Sequence, residues 1–355
     1  MRRRRVADAG DHGGLVSARA TPPRIAIVGA GSLIGEAVRE RIVAGALPCA
    51  SLALLEVAGS LGRSAGEDAP PIGDVEAYDF GEADLVFFCA HAATATRHAA
   101  AAAETAWVID GTHAHRDRAD VALVAADVNP HALERIGSRG LVALPGSASV
   151  ALATALAPLA ALGGLARVDV ATYHAVSGAG RAGIDGLAAD TIAMLSGKAP
   201  RKRPFGAQIA FNVLPFVGAV DALGVSDEER RLVQETRRLL GAPGLAINVT
   251  AVRVPVFFGH GLAVHLQLER TFALADAIAL LQQGAGLRYA DPAAAEPGPT
   301  PAETALEPDY VEVGRVRIDE SRERSLNFWI VADNVRKCAA HNAVSVAQIL
   351  VNKLR

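Results

Sequence analysis

The most constraining feature of this chain is a short apolar run that empties into glycines and then becomes helical. Arg24-Ile-Ala-Ile-Val28 reads as a strand. The turn Gly29-Ala30-Gly31-Ser32-Leu33-Ile34-Gly35 follows, and a helical pattern continues through Val43. Glycines let the backbone approach a pyrophosphate, and the helix N-terminus favours an anion there. The spacing departs from GxGxxG because position 34 is Ile, so the strand–turn–helix context carries the inference. Further strands are expected at Ser51 to Val57, Ala83 to Cys89, Trp107 to Asp110 and Val121 to Val124, with a helix at Ala92 to Thr105. Such alternation predicts an α/β fold whose N-terminal part is a Rossmann-like, doubly wound parallel sheet.

Beyond residue 150 the pattern changes. An Ala/Leu helix leads to an alternating strand at Ala166 to Tyr173, with more strands at Leu245 to Pro255 and Gly261 to Leu268. Helices are expected at Gly183 to Leu195, Asp227 to Leu240 and Leu274 to Gln283. This predicts an α+β domain, a mixed sheet covered on one face by helices. Residues 284 to 308 read as a long loop, and Asp333 to Lys353 as a C-terminal helix. The expected organisation is a flexible extension at 1–23, a dinucleotide-binding domain at 24–148, a second domain at 149–330, and a segment at 331–355 that returns to the first.

The 355 residues suffice for two full cores, and 51% hydrophobic against 21% charged suits a compact protein. A net charge of -3 gives no basic field for nucleic acid. Cys49, Cys89 and Cys338 lie far apart in apolar surroundings. They read as buried small hydrophobes in a reducing cytosol, not as a disulfide framework. Arg2 to Arg5 precede no apolar stretch of signal-peptide type, and no run reads as a membrane span, so a cytoplasmic location is expected. His113 and His115 sit two apart with no third ligand at metal spacing, so no metal is expected.

Several longer stretches carry a family resemblance. Tyr173-His174-Ala175-Val176-Ser177-Gly178-Ala179-Gly180 resembles the YQAVSGAG segment of the aspartate-semialdehyde dehydrogenases. Phe211-Asn212-Val213-Leu214-Pro215 resembles their NVIP run. Glu228-Glu229-Arg230-Arg231 with Glu235-Thr236 resembles their EExK…ET helix. Arg253-Val254-Pro255-Val256 with Gly259-His260 resembles RVPV..GH, and Asp333 to Ala340 resembles DNLRKGAA. The order matches from about residue 24 to the end.

The resemblance implies an enzyme that interconverts β-aspartyl phosphate and aspartate semialdehyde with NADP, in amino-acid biosynthesis. A cysteine thiolate takes the acyl group from phosphate, and hydride then reduces the thioester. It implies a homodimer acting on a small molecule. His260 would be the general acid/base, with His174 beside it in the catalytic group. Arg253 would hold the substrate carboxylate and Glu228 its ammonium, while Arg116 and Arg231 would hold phosphate. Gly29, Gly31, Ser32, Leu33, Ile34, Arg63, Ser64, Ser177, Gly178 and Asn334 would contact the dinucleotide. Its type stays open. Glu56, ending the second strand, suits an adenosine ribose and repels a 2'-phosphate, whereas Arg63-Ser64 suit that phosphate. Each residue also has a plainer use: Glu228 with Arg231 as a helical pair, Arg253 paired with an acid, His260 bonded to backbone.

Four departures matter. Ser147 stands at the nucleophile position, His174 replaces glutamine, Ser32 replaces a glycine, and the segment leading to Arg63-Ser64 is long. A helix N-terminus with a nearby cation stabilises an anion by up to about 2 kcal/mol, or roughly one and a half pKa units. That brings a thiol from about 8.5 to near neutral. An alcohol needs an adjacent general base and a group orienting it. Ser147 is therefore expected to cap the following helix, as Ser149 also could, and the family's covalent step is expected to be impaired. The competing expectations are an active enzyme using Ser147 with His260, and a non-enzymatic nucleotide-binding dimeric partner.

Overall fold

A computed structural model describes residues 21–60, 70–89, 91–199, 204–290, 298–304 and 308–353. The expected extension therefore falls almost wholly outside the described residues, and Arg63 and Ser64 fall outside them too.

Seven parallel strands form the first sheet, in the order β3-β2-β1-β4-β5-β7-β6. They are β1 (Arg24–Val28), β2 (Ser51–Glu56), β3 (Ile72–Asp74), β4 (Leu85–Phe88), β5 (Trp107–Asp110), β6 (Ala122–Leu123) and β7 (Gly140–Ala143). Alternate residues serve opposite faces. Ile25 and Ile27 of β1 join α1 (Leu33–Val43) and α8 (Asn342–Asn352) in one core. Ala26 and Val28 face α2 (Ala92–Ala102) in another. Helices on both faces explain why these strands are continuous apolar runs. The strand order reverses direction between β1 and β4, which opens a crevice at their carboxyl ends.

The second sheet has the order β11-β12-β13-β10-β8-β9. Its strands are β8 (Leu165–His174), β9 (Ala246–Arg253), β10 (His260–Leu268), β11 (Leu287–Tyr289), β12 (Val311–Ile318) and β13 (Ser325–Ala332). β10 runs antiparallel to β8 and β13, while β8 and β9 are parallel. Its inner face packs on α3 (Ser147–Leu159), α5 (Asp227–Leu239) and α6 (Leu274–Gln283), with Leu152 and Leu156 of α3 fully buried. α4 (Gly180–Leu195) follows β8. Among the described residues, eight of eleven exposed large hydrophobics lie between Ile192 and Phe257.

The stretch 284–308 is more structured than a long loop, because it holds β11 and the short α7 (Pro301–Thr304). The C-terminal element is not one helix from Asp333. Asp333 Oδ1 accepts from the N–H groups of Val335 and Arg336, a π-helical stretch covers Arg336–His341, and α8 starts at Asn342. The return to the first sheet is tied by Asn342, whose side chain accepts from Ala126 N and donates to Val124 O, and by the Lys337–Asp127 pair at 2.9 Å. No helix among the described residues is long and apolar enough to cross a membrane.

Candidate active site

At the end of β1 the chain turns on Gly29, whose φ of +86° suits glycine. Gly35 allows α1 to press on that turn, since a Cβ there would lie 2.2 Å from the Gly29 carbonyl oxygen. Ser32 caps α1: its Oγ accepts the Gly35 N–H at 2.9 Å. The serine in this turn therefore serves the helix. The N–H of Gly31 goes to Glu56 Oε1 at 2.7 Å, and that of Ser32 to the Gly29 carbonyl. Leu33 and Ile34 are left with backbone N–H groups that no described residue accepts from. Two free donors at the positive end of a helix, over a floor too tight for side chains, fit a dinucleotide pyrophosphate. Arg181 reaches across from α4 to pair with Glu36 and lies 3.4 Å from the Gly31 carbonyl. Asn334 Oδ1 accepts from both Ser177 Oγ and Gly259 N, at 3.1 Å each, so these three sit together.

The second sheet collects the next group. Parallel register sets His174, the last residue of β8, beside Arg253, the last of β9, and β10 opens with His260. All three are buried. The two imidazoles lie 4.5 Å apart between centroids. His174 Nε2 bonds Thr172 Oγ1 at 2.9 Å. His260 Nδ1 accepts the Ala175 N–H at 3.1 Å, so in the neutral ring the proton sits on Nε2. A Cβ on Gly178 would lie 3.7 Å from that Nε2 and 3.6 Å from Arg253 Nη1, so Gly178 keeps the space in front of both open. Arg253 donates to the Ala175 carbonyl at 3.0 Å and stacks on Phe205, 4.7 Å from the ring centroid, rather than pairing with an acid. Burial holds His260 well below the usual histidine range, helped by His174 and Arg253. Burial also lowers His174, against the opposing pull of Glu228, with Arg253 adding to the lowering.

The third group lies at the ends of β5 and β7. His115 Nδ1 bonds Asp110 Oδ2 at 2.7 Å, so this histidine is held by a carboxylate. Among the described residues no three His, Cys, Asp or Glu side chains gather as metal ligands. Arg116 donates to the Gly111 carbonyl at 3.1 Å and faces Glu235 at 3.5 Å. Glu235 Oε2 accepts the Gly146 N–H at 2.7 Å. Ser226 starts α5 with a reciprocal capping box, and Glu228, Arg231 and Glu235 share one face of that helix. Glu228 and Arg231 pair at 3.6 Å. His113 sits low because of burial and then Arg231 and Arg116, which puts these cations within electrostatic reach of it. Arg116, Arg231 and Glu235 line a cavity of about 570 Å³.

Ser147 does not cap α3. The N-cap is Gly146, whose backbone is extended and whose N–H is held by Glu235 from α5; Ser147 is already the first helical residue. Ser149 lies inside the helix and is buried, so it is no cap either. Among the described residues nothing bonds to Ser147 Oγ, His260 included. No cysteine supplies a thiolate in its place: burial pushes the Cys89 and Cys338 thiols up to about 12, and it raises Cys49 as well.

Sequence reasoning gave no role to Glu235, although it stands one further helical repeat along the face of Glu228 and Arg231. It also missed the Asp110–His115 pair and Phe205, for which no local pattern exists.

Residues 24–136 match the family model described as semialdehyde dehydrogenase, NAD binding domain, and residues 156–337 match the model of its dimerisation domain. Aspartate-semialdehyde dehydrogenase 2 of Vibrio cholerae is 36% identical over 92% of this chain and 97% of its own. A USG-1 protein homolog of Azotobacter vinelandii is 37% identical over 93% and 98%. The crystal structure of aspartate semialdehyde dehydrogenase II from Vibrio cholerae complexed with ASA superposes with a TM-score of 0.90. It is 35% identical and covers 95% of this chain and 100% of its own.

Proposed function

We propose that this chain, which belongs to the aspartate-semialdehyde dehydrogenase family, keeps the family's ligand pocket and lacks its covalent step. The observation that carries this is the hydrogen bond from Ala175 N to His260 Nδ1. It leaves a proton on Nε2, so the neutral ring offers Ser147 a donor and no base. Glu235, the nearby carboxylate, is engaged with Gly146 and Arg116. A helix N-terminus contributes up to about 2 kcal/mol to an anion, enough to ready a thiol and far too little to ionise an alcohol. An active serine enzyme needs both a base bonded to the hydroxyl and a group orienting that base, and no described side chain hydrogen-bonds Ser147.

The ligand groups support binding without acyl transfer. Arg253 and Glu228 suit the carboxylate and ammonium of an amino-acid semialdehyde, and Arg116 and Arg231 suit phosphate. The N–H groups of Leu33 and Ile34 would hold the pyrophosphate of a nicotinamide dinucleotide, with Ser177, Gly178 and Asn334 on its far side. Bound there, the dinucleotide would supply or accept a hydride. Residues 24–148 serve as the dinucleotide unit and 149–330 as the dimerisation and substrate unit of a cytoplasmic homodimer. The exposed hydrophobics between Ile192 and Phe257 suit the dimer contact.

Purified protein supplied with aspartate semialdehyde, phosphate and either NAD or NADP is expected to reduce no dinucleotide. Robust reduction would sink the proposal.

A further inference from the structure

The carboxyl edge of β2 adds a selective element to the dinucleotide crevice. β1 and β2 run parallel with Val28 beside Leu55, so Glu56 stands level with Gly29 at the mouth of the turn. Its side chain folds inward and is 8% exposed. Oε1 accepts the Gly31 N–H at 2.7 Å, and a Cβ on Gly31 would lie 3.2 Å from that oxygen. The carboxylate is thus anchored to the turn itself. Its other oxygen has no partner among the described residues, and no described cation pairs with it. Arg181, which reaches the Gly31 carbonyl from α4, is already engaged with Glu36. Glu56 is also felt across the crevice, where after burial and Asp110 it helps raise the Cys89 thiol at the end of β4.

We infer that Glu56 makes this crevice select a dinucleotide with a free adenosine 2'-hydroxyl, NAD(H) over NADP(H). The inference rests on the proposal that the glycine turn holds a dinucleotide at all. Ribose hydroxyls are donors and match an anchored carboxylate with a vacant oxygen. A 2'-phosphate brings about two negative charges and acceptor oxygens against the same group. The bond to Gly31 keeps the carboxylate from swinging away, so the repulsion is built into the turn. This runs against the NADP expectation that the resemblance carries.

The test titrates the full chain with NADH and with NADPH, each by calorimetry, in the wild type and in Glu56→Gln. Glutamine keeps an acceptor for the Gly31 N–H and removes the charge. The wild type is expected to bind NADH roughly tenfold or more tighter than NADPH. Glu56→Gln is expected to shrink that ratio by roughly tenfold, mainly by gaining NADPH affinity. Equal or tighter NADPH binding by the wild type, or a ratio that the variant leaves unmoved, overturns the inference and leaves the dinucleotide proposal standing. Saturable binding of neither cofactor overturns both. If Glu56→Gln fails to fold, the wild-type ratio decides alone.

Discussion

Two helices of this chain begin with a serine at the carboxyl edge of the first sheet, and they use it differently. At α1, Ser32 is the cap, and its hydroxyl satisfies Gly35 N. At α3, Gly146 is the cap, Glu235 holds its N–H, and the hydroxyl of Ser147 bonds to nothing described. The first serine is explained by the fold. The second is not, since α3 would start in the same way without it. A side chain with no structural task, next to a glycine that Arg116 and Glu235 crowd, is where the proposed loss of the covalent step is best tested. The contrast separates a proposed binding end, where backbone donors remain, from a proposed reacting end, where a hydroxyl stands.

The largest expected effect lies at the reacting end. Ser147→Cys is expected to raise dinucleotide reduction from aspartate semialdehyde and phosphate by on the order of a thousandfold or more, since every other group stays in place. A steady-state assay of both proteins measures it, and no gain would mean the site is impaired beyond residue 147. Second comes the anchorage of α3 by its core rather than its cap. Leu156→Ala, at a fully buried position, is expected to cost about 2–5 kcal/mol in urea unfolding.

Third, acid is expected to weaken the fold through its buried histidines. His174 and His260 are both held below the ordinary value of 6.5 when folded. Above 6.5 both states are neutral and stability is full. As pH falls from 6.5 toward the lowered folded values, the unfolded chain binds protons that the folded one excludes, and stability drops. The slope approaches about 1.4 kcal/mol per pH unit for each histidine. Urea midpoints between pH 7.5 and 5.5 should fall accordingly, and His174→Gln should flatten the decline. The smallest effects divide the two serines. Ser32→Ala is expected to cost about 1 kcal/mol, whereas Ser147→Ala should change stability by less than about 0.5 kcal/mol. Equal costs in thermal melts would erase the distinction.

Much of the first sheet was legible because fully buried parallel strands must be apolar runs. β1, β2, β4 and β5 all stand where such runs occur. The second sheet was less so. β12 escaped recognition because its alternation breaks at a register shift between Gly314 and Arg317, where Arg315 takes a φ of +55°. Motif order brought Arg253, His260 and Glu228 into one list, but only strand register sets His174 beside Arg253. The tautomer of His260 depends on one backbone N–H, and the N–H of Gly146 is held by a carboxylate 89 residues away. Neither has a local signature. Local preference made Ser147 a cap, but the helix is entered one residue earlier, at Gly146.

The central claim is that Ser147 takes no acyl group. It is tested most directly by the intact mass of the wild type and of Ser147→Cys after incubation with aspartate semialdehyde and oxidised dinucleotide, with phosphate left out. Without phosphate an acyl-enzyme cannot be released to its usual acceptor. The cysteine variant is expected to gain one aspartyl group on residue 147 while the wild type keeps its unmodified mass. An aspartyl adduct on Ser147 of the wild type would contradict the account.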